Sequence, residues 1–391
     1  MSGSRQGELT RRELLGAAVA FGVSAGIVGR ALPAWAARTA TSPTPNEQAA
    51  MAQLVQSFMS EYNVPGLSIA ISEFGTPVYS KAFGVAETTG NTTLTTDHRF
   101  RIASVSKPIT STAIFQLIEK RKLSLNDHVF GSGAVLGTTY GRPPYKKWVR
   151  DIRIWHLLTH TCGGWDNTGV SPDPMFVNPR MNHKQLMRWT LANLPLAHLP
   201  GTTYAYSNFG YCVLGRVIEK LTGKPYDVSV RRSVLAPCGI TDMVIAGNTL
   251  AQRRPREVVY YSQGGDISPY SMNVRRMDSH GGWIARPIDL VRFLTHVDGF
   301  SPHQLLRRGT IKVMTTPTTA NANYAKGWAV NSQDNWWHLG SLPGTATGIV
   351  RTHSRFCWAV FTNTRVPNSN MLSDLDNLPW NMARQVKSWQ P

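Results

Sequence analysis

Cysteine is scarce. Cys162, Cys212, Cys238 and Cys357 are the only four in 391 residues, and they form neither a C-x-x-C pair nor a metal-ligand spacing. A disulfide scaffold and a zinc ribbon are excluded; buried free thiols are expected, with pairing left open. Acidic side chains are few as well, 23 against 41 Lys+Arg, for a formal net charge of +18. That excess attracts anionic surfaces such as a cell envelope. The basic residues are scattered, however, with no run of five and no zinc-finger, RNP or P-loop pattern, so no nucleic-acid partner is expected. Only 16% of residues are charged and 42% are hydrophobic, which excludes disorder and allows one large or two medium cores. Internal repeats and low-complexity tracts are absent.

A clean membrane span is missing too. "TRRELLGAAVAFGVSAGIVGRALPAWAA" is apolar, but Arg30 and several glycines interrupt it. Arg11-Arg12 before it and Ala34-Trp35-Ala36 after it resemble a twin-arginine export signal with a small-x-small cleavage site. Residues 1–36 are expected to be removed, leaving a basic mature chain, periplasmic or secreted, without a stable membrane span. Gly22-Val23-Ser24-Ala25-Gly26 inside this segment matches a nucleophile elbow, but a discarded export helix supplies neither the strand before it nor the helix after it.

Residues 37–45 read as a Ser/Thr/Pro-rich linker, followed by a helix to about Tyr62. "GLSIAISEFGTPVYSKAFGVAE" is a hairpin around a Gly-Thr-Pro turn. Helical patterns follow at Ile152–His160, His183–Leu194, Tyr211–Thr222 and Asp289–Val297; strand patterns return at Gly327–Val330, Thr347–Arg351 and Cys357–Thr362. Strands at both ends with helices between them indicate an α/β (α+β) fold. It comprises an antiparallel sheet built from both termini and flanked by helices, about 46–115 and 290–388, with a mostly helical insert at about 116–289.

"FRIASVSKPITSTAIFQLIEK" carries apolar residues at Ile109, Ala113, Ile114, Leu117 and Ile118, one face of a helix that Ser104 and Lys107 open. Residues three apart share a helical face, so the Lys107 amine can reach the Ser104 hydroxyl: a nucleophile beside a base. A cation in the first turn opposes the helix dipole, which argues for a role other than capping. Further on, Tyr206-Ser207-Asn208 lies in a polar turn before an apolar helix, and His338-Leu339-Gly340 lies on a strand. His156 and His160 have the i, i+4 spacing of metal ligands but no accompanying glutamate, and read as structural; neither metal nor cofactor is expected.

Ser104-Val-Ser-Lys107, Tyr206-Ser-Asn208 and His338-Leu-Gly340, in that order, resemble the S-x-x-K, Y-x-N and K-T-G patterns of the serine β-lactamase and penicillin-binding-protein superfamily. The tyrosine variant points to class C β-lactamases, D,D-carboxypeptidases, D-aminopeptidases and related esterases. "IRIWHLLTHTCGG", "LAPCGITDM" and "GGWIARPIDLVRFL" resemble connecting segments of the same family, extending the likeness over roughly residues 46–388 as a single catalytic unit. The resemblance implies a β-lactamase/transpeptidase-like fold and an acyl-enzyme on Ser104. It makes Lys107 and Tyr206 a coupled base pair, in which the lysine cation lowers the tyrosine and burial lowers the lysine. It also implies that Asn208 holds Lys107 and donates to the substrate, that the backbone N–H groups of Ser104 and Ser341 form an oxyanion hole, and that Gly340 leaves the strand edge open.

The third motif departs from the family. Leu339 has no hydroxyl and His338 is only partly protonated near neutrality, so the site lacks the pair that grips a β-lactam carboxylate. The expectation is an exported serine hydrolase with weak or absent β-lactamase activity, acting on a small ester, amide or D-peptide, carboxylesterase ahead of D-amino-acid peptidase or amidase. A D,D-carboxypeptidase or β-lactamase of the same family is a further alternative, and a non-catalytic envelope-binding protein of the same fold is the alternative from another class.

Overall fold

The computed structural model describes residues 39–167 and 173–389. The export-signal motifs at Arg11-Arg12 and Ala34–Ala36 lie outside the described residues.

Nine helices are found among the described residues: α1 (Pro45–Glu61), α2 (Ser106–Glu119), α3 (Ile154–Leu158), α4 (His183–Asn193), α5 (Asn208–Thr222), α6 (Tyr226–Val230), α7 (Pro287–Thr295), α8 (Arg308–Thr315) and α9 (Met371–Ala383). The strands are β1 (Gly66–Glu73), β2 (Thr76–Glu87), β3 (Thr92–Thr93), β4 (Phe100–Arg101), β5 (Val244–Ile245), β6 (Tyr261–Ser262), β7 (Trp283–Ala285), β8 (Ala329–Val330), β9 (Trp336–Leu342), β10 (Thr345–Arg351), β11 (Phe356–Thr362) and β12 (Thr364–Arg365).

Seven strands form one antiparallel sheet in the order β3-β2-β1-β11-β10-β9-β8. The two ends of the chain meet where β1 pairs with β11, Ala70 opposite Ala359. Both central strands are buried on both faces, which explains their unbroken apolar runs. The hairpin turn is Phe74-Gly75, both at positive φ, with Thr76 and Pro77 already in β2; a register shift at Ile71/Ser72 accommodates the proline. The turn therefore lies earlier than the expected Gly-Thr-Pro.

Helix α1 opens with a Thr44/Glu47 capping box and Pro45, and buries Met51, Val55 and Phe58. Together with Met371, Leu375 and Met382 of α9 these cover one sheet face, over Ile69, Val350 and Trp358. The opposite face packs Ala359 and Phe361 of β11 against α7, in one apolar cluster with residues of α2 and α5. Helix α3 ends earlier than its apolar pattern because His160 adopts φ +57. Helix α5 begins earlier, with Ser207 as its N-cap and Asn208 as its first residue. All four cysteines are buried and unpaired. No helix among the described residues is long and apolar enough to cross a membrane.

Candidate active site

Ser104 sits in a short 3-10 turn, Ala103–Val105, immediately ahead of α2. Between Phe100 and Phe115 it is the one residue that is not buried. Long-range contacts hold the turn in place. Thr345 and Thr347 of β10 donate their hydroxyls to the carbonyls of Arg101 (3.0 Å) and Ile102 (2.9 Å), and the Ile102 N–H donates to Trp283. Ala103 is forced to φ +47, a left-handed conformation costly for a residue with a Cβ, so the surroundings impose it. Gly340 faces this turn: a Cβ there would collide with the Ile102 carbonyl and Thr347 Oγ1. The glycine lets β9 seat against the serine turn.

Lys107 is fully buried, with its Nζ at three oxygens: Ser104 Oγ (2.9 Å), Asn208 Oδ1 (2.8 Å) and the His280 carbonyl (3.2 Å). Burial lowers its pKa well below the ordinary lysine value, opposed by the negative charge of Asp173. Asp173 is the residue that sequence reasoning missed. Its carboxylate accepts from Asn208 Nδ2 at 2.6 Å, and since a carboxylate only accepts, it fixes which way the Asn208 amide faces. One N–H of Asn208, implied to serve the substrate, is thereby committed to the protein.

A neutral amine has two N–H groups and one lone pair. Asn208 Oδ1 and the His280 carbonyl are pure acceptors and take both hydrogens, so the lone pair is left facing the Ser104 hydroxyl. The Tyr206 ring lies 4.7 Å from Lys107 Nζ, and its phenol senses the Ser104 side chain. Burial pushes the Tyr206 phenol up, above its ordinary value. This reverses the expected direction: desolvation outweighs the lowering contribution of Ser104, and the negative charge of Asp173 adds to it.

His338 also departs from expectation. It is buried, and burial together with Lys107 lowers its pKa to about 3, so it carries no charge near neutrality. Its Nδ1–H donates to the Leu339 carbonyl (2.7 Å), and Nε2 accepts from the Tyr324 hydroxyl (3.1 Å). The Tyr324 oxygen then accepts from His160 Nε2–H (3.1 Å), and His160 Nδ1 accepts from the Ser207 N–H (3.0 Å). One tautomer of each ring satisfies the whole chain. It braces the Tyr206–Asn208 turn from behind, and the His160 ring packs 4.2 Å from that of Tyr206. His156, lowered to about 4 by burial, accepts from the Arg153 N–H. These two histidines, like the buried His160 and His280, bind protons in the unfolded chain before they do in the folded one. Stability is therefore present above about pH 6.5 and lost as pH falls toward 4, a drop in melting temperature readable by circular dichroism and smaller in His338→Gln. A melting temperature flat from pH 7 to 4.5 would contradict the buried neutral rings.

Ser341 pairs with Ala346 across the β9–β10 hairpin, whose two-residue loop closes at Leu342/Thr345. In a two-residue hairpin the closing pair exchanges backbone hydrogen bonds and the next pair does not, so the Ser341 N–H is directed away from β10, toward the free edge of β9, while the neighbouring Gly340 packs against the Ser104 turn. The structure thus brings Ser104, Lys107, Tyr206 and Asn208 into one cluster, with the β9 segment that carries Ser341 packed against the Ser104 turn. His338 is placed behind the cluster. No group of three or more potential metal ligands occurs among the described residues.

The family model described as Beta-lactamase matches residues 51–378. An esterase of Burkholderia gladioli, EstB, is 30% identical over 200 residues, 47% of this chain and 48% of the esterase; the chain therefore spans about half the length of that relative. Penicillin-binding protein 4 of Amycolatopsis lactamdurans is 25% identical over 335 residues, 79% of this chain and 84% of that one. Among solved structures, D-amino acid amidase from Ochrobactrum anthropi SV3 superposes with a TM-score of 0.71 at 20% identity, over 88% of this chain and all of that one.

Proposed function

The chain belongs to the Beta-lactamase family, and from that membership we propose that it is an exported serine hydrolase that cleaves an ester or amide through an acyl-enzyme on Ser104. The observation that carries the proposal is the lone pair of Lys107, left facing Ser104 Oγ at 2.9 Å once its two acceptor-only partners are counted. Lys107 takes the hydroxyl proton as Ser104 attacks the carbonyl; Tyr206, kept protonated by burial, relays a proton to the leaving group. The N–H groups of Ser104 and Ser341 stabilise the developing oxyanion, and water then releases the acyl group.

A neutral His338 and a hydroxyl-free Leu339 support weak or absent β-lactamase activity. An esterase, a penicillin-binding protein and a D-amino acid amidase among the similar proteins support a small ester, amide or D-peptide as substrate, with an ester favoured. The twin-arginine-like segment supports a location outside the cytoplasm.

The test is labelling by a fluorophosphonate, with the adduct mapped to a peptide, beside the nitrophenol burst from a p-nitrophenyl ester. One adduct, on Ser104, and a burst equal to the enzyme concentration are expected. An adduct elsewhere would overturn the assignment of Ser104 as nucleophile; no adduct and no burst would leave a binding protein of the same fold.

A further inference from the structure

The free edge of β9 has a charged neighbour. Arg365, in β12, donates Nη1 to the Ser341 hydroxyl at 3.0 Å. Ser341 is the residue whose N–H points out of that edge, so the guanidinium is tied to the side chain of the same residue that offers this N–H. An unpaired arginine here would recruit substrates carrying a carboxylate. This one is paired: Nε and Nη2 donate to the two carboxylate oxygens of Asp266 at 2.6 and 2.9 Å, filling the edge of the fork that grips carboxylates. Asp266 is 6% exposed and Arg365 23%, so the pair is fixed in a partly dry wall instead of being a solvated surface contact. The other basic groups of the site are also committed, His338 neutral between Leu339 and Tyr324, and Lys107 buried among three oxygens.

We propose that Asp266 is a specificity-determining residue: by cancelling the charge of Arg365 beside Ser341, it sets the site to accept neutral esters and amides and to reject substrates with a carboxylate near the scissile bond. This rests on the hydrolase function proposed above and names the substrate class of that site. A carboxylate arriving at Arg365 meets Asp266 at the same guanidinium, so attraction and repulsion nearly cancel while desolvation of the incoming charge remains.

Three esters test it. Phenyl acetate carries no carboxylate, 3-carboxyphenyl acetate carries one on the leaving group, and monophenyl adipate one on the acyl group. In the wild-type protein kcat/KM for both anionic esters should be at least about tenfold below that for phenyl acetate. Asp266→Asn should raise at least one of them about tenfold or more, phenyl acetate staying within about threefold, and added salt should erode the gain. The double variant Asp266→Asn/Arg365→Gln, with neither charge, should return to wild-type selectivity. The proposal falls if the wild type hydrolyses the anionic esters as well as the neutral one, a measurement independent of any variant's folding. It falls equally if Asp266→Asn leaves both ratios unchanged, or if the double variant keeps the gain. A wild type that turns over none of the three and takes no fluorophosphonate label removes the hydrolase function itself, an outcome distinct from active enzyme with the wrong selectivity.

Discussion

Lys107→Met should slow acylation by about a thousandfold, roughly 4 kcal/mol of transition-state stabilisation, while leaving the melting temperature unchanged or raising it. The two halves of this expectation have one cause. The amine lies out of water with three oxygens around it, where its charged form is penalised, so the fold gains little by keeping it. Methionine is close in length, apolar and adaptable, and removes the desolvation problem together with the base. Activity lost with stability intact identifies a group kept for chemistry; activity and melting temperature lost together would make Lys107 a structural residue. The pH profile gives a second measure. Activity requires the unprotonated amine, so the acylation rate should rise with pH through the lowered Lys107 pKa and reach its plateau well below pH 10. The neighbouring rings do not confuse the limb: His338 titrates at about 3, and His160 and His280 are likewise lowered well below the ordinary histidine value by burial and by Lys107. A limb near pH 10 would mean an ordinary, solvated lysine and would sink the assignment.

What could be read from the sequence was local. Ser104 and Lys107 share one turn and Tyr206 and Asn208 another, and periodic apolar residues announce α2 and α5, so those positions needed only near neighbours to be found. Residues that arrive from across the fold left no such trace. Asp173 reaches Asn208 from a loop 35 residues earlier, and Tyr324 reaches His160 across 164 residues. Thr345 and Thr347 alternate on β10, and their spacing of two places them on one sheet face. Nothing local says that this face meets the carbonyls of Arg101 and Ile102, more than 240 residues away in the chain. The charge states failed for the same reason. A reference value and one neighbour set the expected direction for Tyr206, and a reference value alone the expected charge of His338, but burial decides both, and burial belongs to the assembled core.

Gly340→Ala should cost about a hundredfold or more in acylation, and about 1–3 kcal/mol of stability, from a single methyl group. The added carbon meets backbone, the Ile102 carbonyl, so no rotamer change can relieve it; either β9 moves out or the Ala103–Val105 turn moves in. Both movements strike the chemistry. The first carries the Ser341 N–H away from the developing oxyanion, and the second tilts Ser104 off the Lys107 lone pair and disturbs the Thr347 contact that fixes the turn. Gly348 supplies the control within the same sheet. Its added methyl would meet the flexible Leu339 Cδ2 at 3.1 Å and Val360 Cγ1 at 3.8 Å, contacts that small side-chain shifts relieve, so Gly348→Ala should keep its acylation rate within about threefold. Stopped-flow burst rates and melting curves on the two variants separate the explanations. If both glycines respond alike, the effect is general loss of strand packing; if only Gly340 does, a close approach between one strand and one turn positions the nucleophile.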